Sequence, residues 1–165
     1  MTSTIPFPAN TALNKITDYE HRGVTSRIMR SFDISHSEAR ELFDDTKRFL
    51  FLAAITGEKI SPSKPIDEAW HIFLLFTKDY SDFCVRYFGQ MIHHHPFDES
   101  EPKENKMNNI DMTLQLARFH FGSSLSKNWE FLGAESDTGC NGDAPPTCCP
   151  EITRIESGQI LLTTS

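Results

Sequence analysis

Ile66-Asp-Glu-Ala-Trp-His-Ile-Phe-Leu-Leu75 runs through Phe76-Thr-Lys-Asp79 into Tyr80-Ser-Asp-Phe-Cys-Val-Arg-Tyr-Phe88, a passage that is apolar nearly all round at helical spacing. Pro65 suits the opening of a helix, where φ near −65° is already helical and no N–H is needed. Asp67 and Glu68 in the first turn complement the positive end of the helix dipole. A helix with no polar face belongs in a core, so residues 66–88 are expected at the centre of an all-α protein. One polar interruption, Thr77-Lys-Asp79, predicts an end or kink within Phe76 to Asp79, with Thr77 as cap.

That break governs the chemistry. Asp67 and His71 stand at i and i+4 and therefore share a helix face. A carboxylate there fixes an imidazole's tautomer and frees its other nitrogen for a metal or a proton. The same pair can also be a buried hydrogen bond and nothing more. A second cluster, His93-His94-His95-Pro96, follows a helix end at Gly89. Three consecutive imidazoles cannot all point one way, so at most two serve one ion. On a straight helix His71 and Phe88 would lie roughly 25 Å apart at 1.5 Å per residue. The five steps from Phe88 to His93 reach at most roughly 17 Å. A shared site made of Asp67, His71 and one or two of His93, His94 and His95 thus requires the break.

The passages flanking this region give the rest of the bundle. Ser35-His-Ser-Glu38 fits a capping box, and Ala39, Leu42, Phe43, Thr46, Phe49, Leu50 and Ala53 follow at helical intervals to a stop at Gly57. This spacing predicts a helix over 36–55. Leu13, Ile16, Val24, Ile28 and Met29 give a weaker pattern through Gly23, expected as one frayed helix or two short ones. Residues 96–108 read as a charged loop. A last helix, capped by Asn109 or Asp111, should present Ile110, Leu114, Ala117 and Phe121 and stop at Gly122, with Trp129 and Phe131 packing back. The expected organisation is an extended arm over 1–11, a domain of four or five helices over 12–133, and a flexible acidic tail over 134–165. Ile152, Ile155 and Ile160-Leu-Leu162 are the tail residues able to dock as a short strand or turn.

Net charge is −7, and the residues after Gly133 carry −4 of it. An acidic chain of this kind is a poor phosphate neutraliser, which argues against nucleic acid as a partner. No apolar run approaches the roughly 18 residues of a membrane span, and the opening MTSTIPFPANTALNK lacks the pattern of a secretory signal. No membrane partner and a cytoplasmic location are the expectation. Cys84 falls in the apolar helix as a small core residue, inert because burial raises a thiol's pKa. Cys140, Cys148 and Cys149 are too sparse for a standard four-thiolate zinc site. Trp70, Tyr80 and Tyr87 read as core anchors whose polar atoms need partners. His120 is a boundary residue or a further ligand.

The pattern Pro65-Ile-Asp67-Glu-Ala-Trp70-His71, Leu75-Phe-Thr-Lys-Asp-Tyr80, Phe83-Cys84, Phe88-Gly89 and His94-His95-Pro96 resembles a group of small bacterial proteins of unknown function. These are similar to the amino-terminal domain of eukaryotic glycine-rich-domain-containing proteins, and the resemblance spans roughly residues 25–130. It implies a helix break at Thr77, where those relatives tend to carry proline. They also often read W-H-x-H, and Phe73 stands here for the second histidine. Three classes of function follow. The first is a helical adaptor with a structural Asp/His pair and an unidentified protein partner. The second is a divalent-metal domain, with zinc the ion suited to imidazole-rich sites. The third is a metal-dependent enzyme, which needs an open coordination position and a pocket.

Overall fold

The computed structural model describes residues 9–95, 103–130 and 149–153. Helices α1 (Ala9–Thr17), α2 (Arg22–Phe32), α3 (His36–Thr56), α4 (Lys64–Leu74), α5 (Thr77–Phe88) and α6 (Lys103–Phe121) make an all-α fold. A 3-10 turn, Lys127–Trp129, follows α6, and a small antiparallel ribbon joins β1 (Met91–His95) to β2 (Cys149–Thr153). Among the described residues the helices number six, not four or five, because both places where the sequence allowed a split are split.

Central helix α3 is set by its ends. Ser35 Oγ accepts the Glu38 N–H at 3.3 Å while Glu38 reaches back to the Ser35 N–H at 3.0 Å. These two bonds satisfy donors that a helix start leaves open. Gly57, at φ 64°, closes the helix in the left-handed conformation that glycine adopts without Cβ strain. Between these ends Leu42, Phe49, Leu50 and Leu52 are buried against α1, α2 and α4.

Charged groups inside the bundle are paired. Lys47 donates to the carbonyls of Thr17 and Tyr19 at 2.7 and 2.6 Å and meets Asp44 at 2.8 Å. Its ammonium thereby caps the carbonyl end of α1. Fully buried Asp45 accepts from Arg48, Ser126 and Asn128. These bonds hold the 3-10 turn onto α3 and seat Trp129, which is buried. Ser63, at the start of α4, donates to the Asn128 carbonyl, so the same turn fixes where α4 begins.

A break separates α4 from α5 as expected, but α4 already ends at Leu74, ahead of the expected Phe76 to Asp79, and Thr77 is not the cap. The N-cap of α5 is Phe76, at φ −92° and ψ 59°, and Thr77 is the first helical residue. The last amides of α4 tighten, Leu75 N–H reaching the Ile72 carbonyl at 3.3 Å and Phe76 N–H the Phe73 carbonyl at 3.0 Å. The corner is held by α2. Phe76 lies edge-on to His21 at 4.8 Å, and a Cβ built on Gly23 would come within 2.9 Å of its ring. His21 caps α2 by accepting the Val24 N–H and faces Asp79 of α5 at 3.3 Å. Gly23 is therefore no helix breaker. It is the gap into which Phe76 packs.

Three further helix starts differ from the sequence reading. Helix α1 starts at Ala9, inside the expected arm, because Ala9 and Ala12 are strong helix formers ahead of Leu13. Pro65 is the second residue of α4 rather than the first. Helix α6 begins at Lys103, inside the expected loop, since Lys-Glu-Asn-Lys-Met carries helical propensity without apolar periodicity. Its buried residues are Asn109, Thr113 and Ala117; of the expected apolar set Ala117 is buried and Phe121 packs against the core, whereas Ile110 and Leu114 are only partly buried. The reason is polar docking: Thr113 Oγ1 accepts the Ser61 N–H at 3.0 Å and lies 2.8 Å from the Ser61 carbonyl. In the tail, Cys149–Thr153 is a strand, the docking that Ile152 allowed for. Phe131, Ile155 and Ile160-Leu-Leu162 lie outside the described residues.

Candidate metal centre

Beyond the corner at Phe76, α5 runs to Gly89, which at φ 69° turns the chain into β1. The strand is positioned through one chain of hydrogen bonds. Trp70 Nε1 donates to the Tyr80 hydroxyl at 3.0 Å, and that hydroxyl donates to the Ile92 carbonyl at 2.6 Å. All three residues are fully buried. Burial also pushes the Tyr80 phenol far above its ordinary pKa, so it remains a donor. The expected need for a partner on the tyrosine hydroxyl is met by these two groups.

Alternation along β1 then sorts the histidines. Ile92 points inward, and His94, two residues on, lies on the same side. His94 Nε2 is 3.0 Å from Asp67 Oδ1, and the two side chains are only 8% and 5% exposed. Its ring sits edge-on to Trp70 at 4.5 Å and 4.1 Å from the His71 ring. His71 Nδ1 is 3.6 Å from Asp67 Oδ2, and His71 remains 40% exposed. One ligand atom from each of Asp67, His71 and His94 falls within 4.8 Å of the others. His93 and His95 are exposed on the other side of the strand and do not join this group.

The carboxylate therefore spends its short contact on His94, 27 residues away, rather than on its helical neighbour His71. Burial lowers the His71 pKa, Asp67 pulls it back up and His94 pushes it down again. A neutral imidazole is the form that a metal ion would bind. Zinc bonds of about 2.0–2.2 Å imply ligand atoms roughly 3.3 Å apart in a tetrahedral site. The pair at 3.0 Å already meets that separation. His71, whose ligand atom lies within 4.8 Å of the other two and whose side chain is partly exposed, would have to move closer to complete the set.

The other residues singled out in the sequence lie elsewhere. Phe73 is in the aromatic core, edge-on to Phe43 and Tyr80 at 5.1 Å each. A histidine at that position would lie among these rings. Cys84 is buried beside Tyr80, and burial raises its pKa, which leaves it inert. Tyr87 packs on Phe83 at 4.9 Å, and His120 stands edge-on to Phe51 at 5.9 Å. Two clefts, of about 380 and 260 Å³, open near His36 and Arg40 and near Ile34 and Lys127, and no triad residue lines either. Sequence reasoning missed the Trp70–Tyr80–Ile92 chain and the Asp45–Ser126–Asn128 cluster. Nothing in the local pattern pairs residues so far apart.

The chain matches no curated protein and no solved structure. Residues 13–120 match the family model described as UCP032817-like, and the chain belongs to that family. The matched span contains all three residues of the triad.

Proposed function

We propose that this protein is a divalent-metal-binding domain with Asp67, His71 and His94 as ligands and zinc as the ion the donor set suits best. The observation that carries this is the arrival of His94 within 3.0 Å of Asp67, on the face that also holds His71. An adaptor whose Asp/His pair is only structural needs no third group there. It would also gain little from leaving His71 partly exposed. One carboxylate and two imidazoles match the nitrogen and oxygen donors of zinc sites, with a solvent-facing position left for water. Such a water is the usual nucleophile of zinc hydrolases, but catalysis also needs a substrate cleft beside the ligands, so metal binding is the reading the triad supports. The same D-x-x-W-H and downstream H-x-P pattern supports kinship with the amino-terminal domain of glycine-rich-domain-containing proteins.

The test is metal analysis of the untagged full chain, followed by melts with zinc and with chelator. An ion that binds only the native state at a hundredfold excess over Kd adds about 2.7 kcal/mol of stability. His71→Ala should remove that increment. A wild type with no chelator-sensitive shift would reduce the triad to a hydrogen-bonded core feature.

A further inference from the structure

The smaller of the two clefts, about 260 Å³, lies where the end of α2 and the start of α3 meet Pro65 and the 3-10 turn. Phe32, Ile34, Leu42 and Pro65 give it an apolar lining. Its charged residues are unequal in sign: Glu38, Glu41 and Glu130 stand against Lys127. Lys127 is already engaged, with Nζ 3.3 Å from Glu38 Oε1. Among the described residues Glu41 and Glu130 have no cationic partner, and both are exposed. One comes from α3 and the other follows the 3-10 turn. An apolar hollow is thus bordered by two uncompensated carboxylates carried on separate elements.

We infer that this cleft docks a segment of a partner protein in which one large apolar side chain is flanked by Lys or Arg. The volume falls below the roughly 300–1,000 Å³ of pockets for drug-sized ligands, which suits a single anchoring side chain. Burial of that anchor supplies the affinity, while the rim carboxylates speed encounter and turn away acidic competitors. A free amine needs one carboxylate, whereas two on separate elements suit basic residues on both sides of an anchor. The stretches outside the described residues match this poorly. Residues 1–8, 96–102, 131–148 and 154–165 contain a single Lys or Arg, Arg154. A net charge of −7 works against a second copy as occupant. The cleft shares no residue with the Asp67–His71–His94 centre.

The test is amide NMR of the full-length protein in chelator, titrated with a blocked pentapeptide that carries leucine between two arginines and a glycine at each end. Saturable shifts are expected at Ile34, Leu42 and Asn128 and not at Asp67, His71 or His94. Alanine in place of the leucine, or glutamate in place of both arginines, should weaken binding at least about tenfold. Combining Glu41→Lys with Glu130→Lys should do the same while the melting midpoint stays close to wild type, since both side chains are exposed. The absence of saturable shifts would overturn the proposal, as would equal binding of the glutamate peptide. Binding of phenylethylamine as tight as that of the peptide would assign the cleft to a free amine instead. Self-association of the wild type that the two charge reversals abolish would assign it to a second copy. Because chelator is present throughout, the outcome does not depend on whether the triad holds an ion.

Discussion

Trp70 and Tyr80 are joined across the break between α4 and α5 by a 3.0 Å hydrogen bond from the indole N–H to the phenol oxygen. The phenol in turn donates to the Ile92 carbonyl, so one buried hydroxyl ties both helices to the strand that carries His94. Position and polarity are coupled here: the side chain that closes the helical corner also aims the triad's third member.

Tyr80→Phe keeps the ring and removes the hydroxyl. It leaves a buried indole donor and a buried carbonyl without this partner, each worth roughly 1–3 kcal/mol when unsatisfied. A loss of roughly 2–3 kcal/mol is expected in urea unfolding, together with weaker zinc binding as β1 loosens. A change below about 0.5 kcal/mol would mean that other groups or water take over both bonds.

Gly23→Ala sets two effects against each other. Alanine gains up to about 1 kcal/mol of helix propensity, less in the first turn of α2. The new methyl would lie 2.9 Å from Phe76 Cε1, and overpacking of this kind costs about 1–3 kcal/mol. Phe76 is partly exposed and can yield, so a net loss near 1 kcal/mol is expected. The same substitution in a Phe76→Leu background should cost less or become stabilising. An equal loss in both backgrounds would sever the proposed link between α2 and the corner.

Stability should depend on pH through His71. Its folded pKa lies below the ordinary value, chiefly because of burial, so the unfolded chain binds more protons in the window between the two. Stability of the metal-free protein is then full above about pH 6.5, the ordinary histidine value, and falls as pH drops toward the folded value. His120, also lowered by burial, contributes with the same sign. His71→Ala should therefore flatten part of this slope and not all of it. A metal-free wild type whose midpoint rises on acidification through this window would contradict the assignment.

Local chemistry made much of the fold legible in the sequence. Ser35 and Glu38 cap α3 through contacts three residues apart, and Gly57, Gly89 and Gly122 end their helices because only glycine takes φ of 64°, 69° and 90° without strain. The interruption near Thr77 was visible because Thr77-Lys78-Asp79 break the apolar run, but the expected all-round burial of 66–88 is not met: these residues open α5, which buries only Tyr80, Phe83, Cys84 and Phe88. Asp67 and His71 were candidates because helical spacing alone puts them on one face.

Tertiary contacts decided the rest. Which of three successive histidines turns inward depends on β1 being a strand, and its partner β2 lies far along the chain, beyond any local pattern. Phe76, rather than Thr77, makes the corner because Gly23 of another helix leaves room for its ring. Helix α6 buries Asn109 and Thr113 because Ser61 offers backbone hydrogen bonds that apolar periodicity does not encode. Helix ends and faces follow from neighbours within one or two turns, so the amino-acid order determines them directly. The choice of His94 follows from the geometry of a strand held by Tyr80, and only the folded chain supplies that.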